Sequence, residues 1–172
     1  AQDAPDIQEL RRQIEANGWS FEVDDHFTST LTPEARANLH GYAPPPGYER
    51  ELEEHLKIYP IEKDGLPSSL NWLDLGGITP VKNQGSCGSC WAFAATGEME
   101  AFIKIYTGIE TDLSEQQSVS CNPYGAGCSG GWASASYYVF QNQGAVLENC
   151  APYQGMDPPA APCTQADFLK YG

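Results

Sequence analysis

The sequence predicts a mostly helical, cysteine-bridged domain preceded by an acidic extension of different character. Two observations carry that reading. All six cysteines (Cys87, Cys90, Cys121, Cys128, Cys150 and Cys163) fall in a Gly-rich and Pro-rich second part, whereas residues 1–65 contain none. Helical periodicity with start and stop signals then recurs three times after residue 88.

The totals bound the functions open to such a chain. With 172 residues, 41% of them hydrophobic, it can bury a core of ordinary size. A formal charge of −14 makes phosphate-backbone binding electrostatically unfavourable, so nucleic acid is not an expected partner. No run approaches the roughly 20 apolar residues that cross a bilayer, so no membrane partner is expected either. Disulfides in a loop-rich region imply an oxidising compartment: secreted, periplasmic or lysosome-like. A start at Ala1-Gln2-Asp3 is compatible with a mature form from which a secretion signal has been removed.

In the first part, Ile7, Leu10 and Ile14 recur at helical spacing from Asp6 to Ala16, and Gly18 stops the helix. Trp19, Phe21 and Val23 alternate with polar residues, as in a short strand. Thr32-Pro33-Glu34 supplies an N-cap and a first-turn proline, with the helix running through Leu39 to Gly41. Ala43-Pro44-Pro45-Pro46-Gly47 is a spacer that cannot be helical, and Glu49 to Tyr59 has weak helical periodicity.

In the second part, Ser89 to Tyr106 is the strongest helix. Trp91, Ala94, Ala95, Met99, Phe102, Ile103 and Tyr106 form an apolar stripe, and Gly108 occupies the stop position. Ser114-Glu115-Gln116-Gln117 matches a capping box, predicting a short helix towards Cys121. Trp132 to Gln141 gives a third helix, closed by Gly144.

The pair Cys87-Gly88-Ser89-Cys90 is the chemical focus. A redox dithiol would use the same spacing, but it belongs to a βαβ context that does not precede residue 87. A zinc site would need a second ligand pair, and Cys121 and Cys128 are loosely spaced with no histidine nearby. A third reading splits the roles. Cys90 sits in the first turn of the long helix, where free N–H groups and the helix dipole favour a thiolate, while Cys87 anchors the preceding turn by a disulfide. Six cysteines can also pair completely, leaving both as half-cystines, and counting does not separate these cases.

The segment Pro80-Val81-Lys82-Asn83-Gln84-Gly85-Ser86-Cys87-Gly88-Ser89-Cys90-Trp91-Ala92-Phe93 closely resembles the nucleophile segment of papain-like cysteine peptidases, the group containing the cathepsins. The resemblance extends through Leu66-Pro67, Asn71-Trp72, Leu113 to Gln117 and Gly127 to Trp132, ending near Ala151 to Gly155 and Cys163. It implies an α+β papain-like fold, of which residues 66–172 are the mostly helical left domain and the β-rich right domain is absent from this chain. It also implies that residues 1–65 are an inhibitory propeptide. Trp19, Phe21 and the Thr32-Pro33-Glu34 helix resemble short propeptides of the cathepsin B kind. The span from Pro44 to Asp64 is expected to cross the cleft against the substrate direction.

By that resemblance Cys90 is the nucleophile and Gln84 donates its side-chain amide to the oxyanion, together with the Cys90 backbone N–H. Gly88, Gly130, Gly131, Trp132 and Ala133 are the substrate-binding positions, with Gly131 pairing to an extended peptide backbone. Cys87 pairs with Cys128 and Cys121 with Cys163, and Cys150 has no counterpart. No cofactor or metal is implied. Substrates are proteins or peptides.

The mechanism also needs an imidazole as base and acid and an amide to orient it, both carried by the β-rich domain. His26, His40 and His55 all precede residue 66 and read as surface or packing residues. The chain is therefore expected to be a zymogen form or fragment, inactive alone, with a complementary C-terminal β-domain as partner. The alternative is a non-catalytic half-domain kept for binding or regulation.

Overall fold

The computed structural model describes residues 7–24, 27–58 and 65–157. Within them lie α1 (Ile7–Asn17), a 3-10 turn (Phe27–Thr30), α2 (Pro33–Ala37), α3 (Tyr48–Ile58), α4 (Cys90–Thr107), α5 (Glu115–Cys121) and α6 (Ala133–Gln143). Extended pairing among the described residues is limited to isolated bridges: Tyr42 with Gly131, Leu113 with Leu147 and Gly127 with Gly130.

Helices α4, α5 and α6 pack on one another and enclose the core. One cluster joins Trp91, Ala92, Val119, Ala126 and Ala135, with Trp132 laid against it. The indole N–H of Trp91 is not lost on burial: it donates to the Gly127 carbonyl at 3.2 Å. A second cluster joins Ala95, Ile103, Leu113, Phe140 and Ala145, flanked by Met99, Ala133 and Leu147.

Chemistry visible in the sequence sets the helix ends. Gly108 adopts φ 72° and its N–H closes on the Lys104 carbonyl, a left-handed stop that a side chain would strain. Ser114 Oγ accepts from Gln117 N at 3.0 Å, forming half of the expected capping box. Gln117 does not reach back; its amide instead bonds Gly144 O and Val146 N, pinning the loop after α6. Thr32 Oγ1 caps α2 by accepting from Ala35 N at 3.1 Å.

Three expectations are corrected. The stripe on α4 is rotated: Phe102 and Tyr106 are 57% and 74% exposed, and the buried face is Trp91, Ala92, Ala95, Thr96, Glu100 and Ile103. Glu100 belongs to it because a lysine is buried with it. Helix α2 ends at Ala37 rather than near Leu39, because residues 39–43 are drawn into extended contact with Gln84, Cys90 and Gly131. Residues 19–23 form no strand, since no described segment pairs with them. Instead the Trp19 and Phe21 rings stack at 5.7 Å and Arg11 on α1 donates to Val23 O.

Lys82 organises the interior of the second part. Its ammonium donates to Glu100 at 2.7 Å, Glu115 at 2.9 Å and the Leu113 carbonyl at 3.0 Å, and pairs with Asp112 at 2.7 Å. The side chains of Glu100 and Glu115 are only 1% and 2% exposed. A buried carboxylate needs such a partner. Burial alone would lower the Lys82 pKa, but the hydrogen bonds to Asp112, Glu100 and Glu115 outweigh it and hold the ammonium above its ordinary range. Burial pushes the Glu115 carboxyl up to about 7, the Lys82 contacts only partly offsetting it.

Candidate active site

Two covalent and polar ties build the site around the head of α4. Cys87 is disulfide-bonded to Cys128, with Cα atoms 4.5 Å apart, which excludes a Cys87–Cys90 dithiol. Gly88 N then donates to Cys128 O at 2.9 Å, so the turn before α4 and the loop before α6 are bound together on both sides of the bridge. Cys121 is also disulfide-bonded. Its expected partner, Cys163, lies outside the described residues.

Cys90 is a free, half-buried thiol and the first residue of α4. Its sulfur accepts the backbone N–H of Gly41 at 3.2 Å. Gln84, six residues earlier, points its side-chain amide at two carbonyls, Cys87 O at 2.8 Å and Leu39 O at 3.2 Å. Gly131 completes a three-sided cradle by exchanging backbone bonds with the same segment: Gly131 N to Gly41 O and Ala43 N to Gly131 O, both 2.7 Å. Residues Leu39, Gly41 and Ala43 thus touch the cleft, upstream of the Pro44–Asp64 span expected to do so.

The fit leaves no room for side chains. A Cβ on Gly41 would lie 1.6 Å from Gly88 O, and one on Gly131 would lie 2.5 Å from the Trp91 ring. Both glycines are therefore required by close backbone approach rather than by an unusual φ. Trp132 is half-buried, tilted against Tyr124 at 5.6 Å, and Ala133 packs towards the second core cluster. Gly130 lies beside the segment, its Cβ position 3.1 Å from Gly41 O and Ala43 Cβ. Gln84, Gly88, Cys90, Gly130 and Gly131 thus surround residues 39–43, whereas Trp132 and Ala133 pack against the core clusters.

Of the histidines, His40 is next to the bound glycine and exposed, with its N–H on Ala37 O. His26 lies outside the described residues, and His55 is placed on α3. Cys150 is a second free thiol, exposed and remote in sequence from the cleft.

The sequence reading missed Tyr153. Its hydroxyl lies 2.9 Å from Gln84 O and 2.6 Å from Ser89 Oγ, and its ring meets Phe93 edge-on at 4.8 Å. It lies in the 151–155 stretch that carries the family resemblance, but no spacing signal joins it to partners more than 60 residues upstream.

A helical, disulfide-bridged domain that presents a free thiol at a helix head, beside an amide donor and a backbone-pairing glycine, defines the class. Residues 66–170 match the family described as Papain family cysteine protease, and the chain belongs to that family. It is 44% identical to zingipain-2 of Zingiber officinale over 95 residues, covering 55% of this chain and 43% of that protein. To ananain of Ananas comosus it is 36% identical over 140 residues, covering 80% of this chain and 40% of ananain. Among solved structures, the digestive procathepsin L2 proteinase of Tenebrio molitor superposes with a TM-score of 0.69 at 31% identity, over 90% of this chain and 51% of that one. The proform of the ragweed pollen allergen Amb a 11, a cysteine protease, gives 0.67 at 29% identity over 95% and 52%. The chain thus spans about half the length of these relatives, or less. The neighbours share the papain-like fold, of which the described residues show the helical part.

Proposed function

We propose that residues from 66 onward form the nucleophile half of a papain-like cysteine endopeptidase, and that residues 1–65 are its inhibitory propeptide. Cys90, at the head of α4, attacks the carbonyl of a peptide bond through its sulfur. Gln84 donates to the oxygen as negative charge develops on it, with the Cys90 backbone N–H as second donor. Gly131 pairs with the substrate backbone, Gly88 and Gly130 keep the approach open, and Trp132 and Ala133 wall the side-chain pockets.

The observation that carries this reading is the occupancy of the cleft by Leu39 to Ala43. A peptide segment already lies where a substrate would, with a carbonyl on Gln84 and backbone pairing to Gly131. What it presents to the sulfur is an N–H rather than a carbonyl carbon. An N–H is not an electrophile, so the segment blocks without being cut. Its parallel bridge to Gly131 fits a propeptide running against the substrate direction.

The base and its orienting amide would come from a complementary C-terminal β-rich part, and the disulfides support a location in an oxidising compartment outside the cytosol. Among the described residues no helix is long and apolar enough to cross a membrane. The test compares turnover of an unblocked peptide by this 172-residue chain and by the full-length protein. The chain alone is expected to be inactive, and the full-length protein active only with Cys90 intact. Cys90-dependent cleavage by the chain alone would overturn the assignment of the missing base.

A further inference from the structure

Ser89 stands at the N-cap of α4, the position where a serine hydroxyl ordinarily accepts a hydrogen bond from the N–H two or three residues on. Here it does not. Its backbone adopts φ −97° and ψ 16°, outside the extended region usual for an N-cap, and its side chain makes no capping bond. Instead the Ser89 hydroxyl, wholly buried, lies 2.6 Å from the Tyr153 hydroxyl. The direction of the two bonds follows from proton counting. A phenol has one proton, and the Gln84 carbonyl can only accept, so Tyr153 donates to Gln84 O and Ser89 donates to Tyr153.

We infer that Tyr153 is a positioning residue for the nucleophile: it holds the Ser89 hydroxyl off the head of α4 and fixes the backbone of Gln84. This rests on the reading of Cys90 as the nucleophile. Were Ser89 to turn towards the helix, its oxygen would take the N–H of Trp91, since the N–H of Ala92 already donates to Ser89 O at 2.8 Å, and would place a partial negative charge beside the Cys90 sulfur. Both effects oppose a thiolate at that helix end. The same hydroxyl bond locates residue 84, whose side-chain amide reaches the cleft. Tyr153 is itself held by its ring on Phe93 and by its N–H on Glu148 at 2.6 Å.

Tyr153→Phe keeps the ring and removes only the hydroxyl. In the full-length protein freed of residues 1–65, the rate of Cys90 alkylation by iodoacetamide as a function of pH reads the thiol directly. The midpoint is expected to move upward by about half a unit to one unit in Tyr153→Phe. It should return most of the way in Tyr153→Phe combined with Ser89→Ala, where no hydroxyl remains to cap. A generally loosened fold would not be rescued by a second deletion. An unmoved midpoint in Tyr153→Phe, or the same shift in single and double variants, would overturn the inference. Peptide turnover separates the two readings: loss of turnover in Cys90→Ala supports the nucleophile, and retained turnover refutes it whatever the Tyr153 result.

Discussion

The backbone N–H of Gly41 lies 3.2 Å from the sulfur of Cys90, across 49 residues of sequence, and neither group has a side chain between them. Gly41 is held there from both sides, by its carbonyl on Gly131 N and by its Cα against the Gly88 carbonyl. A methyl group cannot enter that space. Gly41→Ala is therefore expected to expel residues 39–43 from the cleft and leave the helical domain intact. Alkylation of Cys90 in the 172-residue chain should accelerate at least tenfold with unchanged far-ultraviolet circular dichroism, and equal rates in the two proteins would show that the segment does not shield the thiol.

The Cys87–Cys128 bridge closes 41 residues that contain the whole of α4 and α5. Replacing both by serine should lower stability by about 2–4 kcal/mol, chiefly by freeing the unfolded chain. Urea unfolding under non-reducing conditions checks this. No change in midpoint would mean that the Gly88 and Trp91 hydrogen bonds to the same loop suffice alone.

Lys82→Met leaves two nearly inaccessible carboxyl groups, Glu100 and Glu115, without their cation. Removing one partner of such a set costs about 3–5 kcal/mol, far more than the loss of a surface pair. A double replacement, Lys82→Met with Glu115→Gln, should recover part of the loss, because one fewer charge is stranded. Chemical denaturation of the three variants measures it, and a Lys82→Met protein as stable as the parent would refute the burial of this network.

The same network sets a pH dependence. Burial raises the Glu115 carboxyl to about 7 from an ordinary 4.5, and Glu148 is raised in the same direction, again mainly by burial. The folded state then binds more protons than the unfolded state between those values, so stability is fullest below pH 4.5 as far as these groups decide it. It falls as pH rises towards 7. Unfolding midpoints in urea should decline over that interval, and Glu115→Gln should flatten the slope. A midpoint that rises with pH, or a slope that Glu115→Gln leaves unchanged, would contradict the assignment.

Local chemistry was legible in the sequence. Thr32 and Ser114 cap helices, Gly108 ends one, and Gln84 reaches the Cys87 carbonyl three residues on. Long-range polar burial was not. A helix glutamate is ordinarily solvent-facing, and the burial of Glu100 depends on donors distant in sequence: Thr79, Lys82 and the Leu113 N–H. The stripe through Phe102 and Tyr106 follows apolar character alone and so misses the rotation that Glu100 imposes. Tyr153 has no periodicity or motif to announce its bonds to Gln84 and Ser89. The end of α2 was misplaced for the same reason: the bonds that unwind residues 39–43 come from Gln84, Cys90 and Gly131, which no local signal contains.

Among the described residues Cys90 and Cys150 are free thiols, and they make the nucleophile assignment directly measurable, since Cys150 is exposed and Cys90 stands at the cleft. The full-length protein, freed of residues 1–65, can be incubated briefly with a slowly hydrolysed peptide ester, quenched in acid, and mapped by mass spectrometry. A nucleophilic Cys90 gives an acyl thioester on the peptide containing residue 90, absent after Cys90→Ala. An acyl group on Cys150 instead, or steady turnover that survives Cys90→Ala, would contradict it.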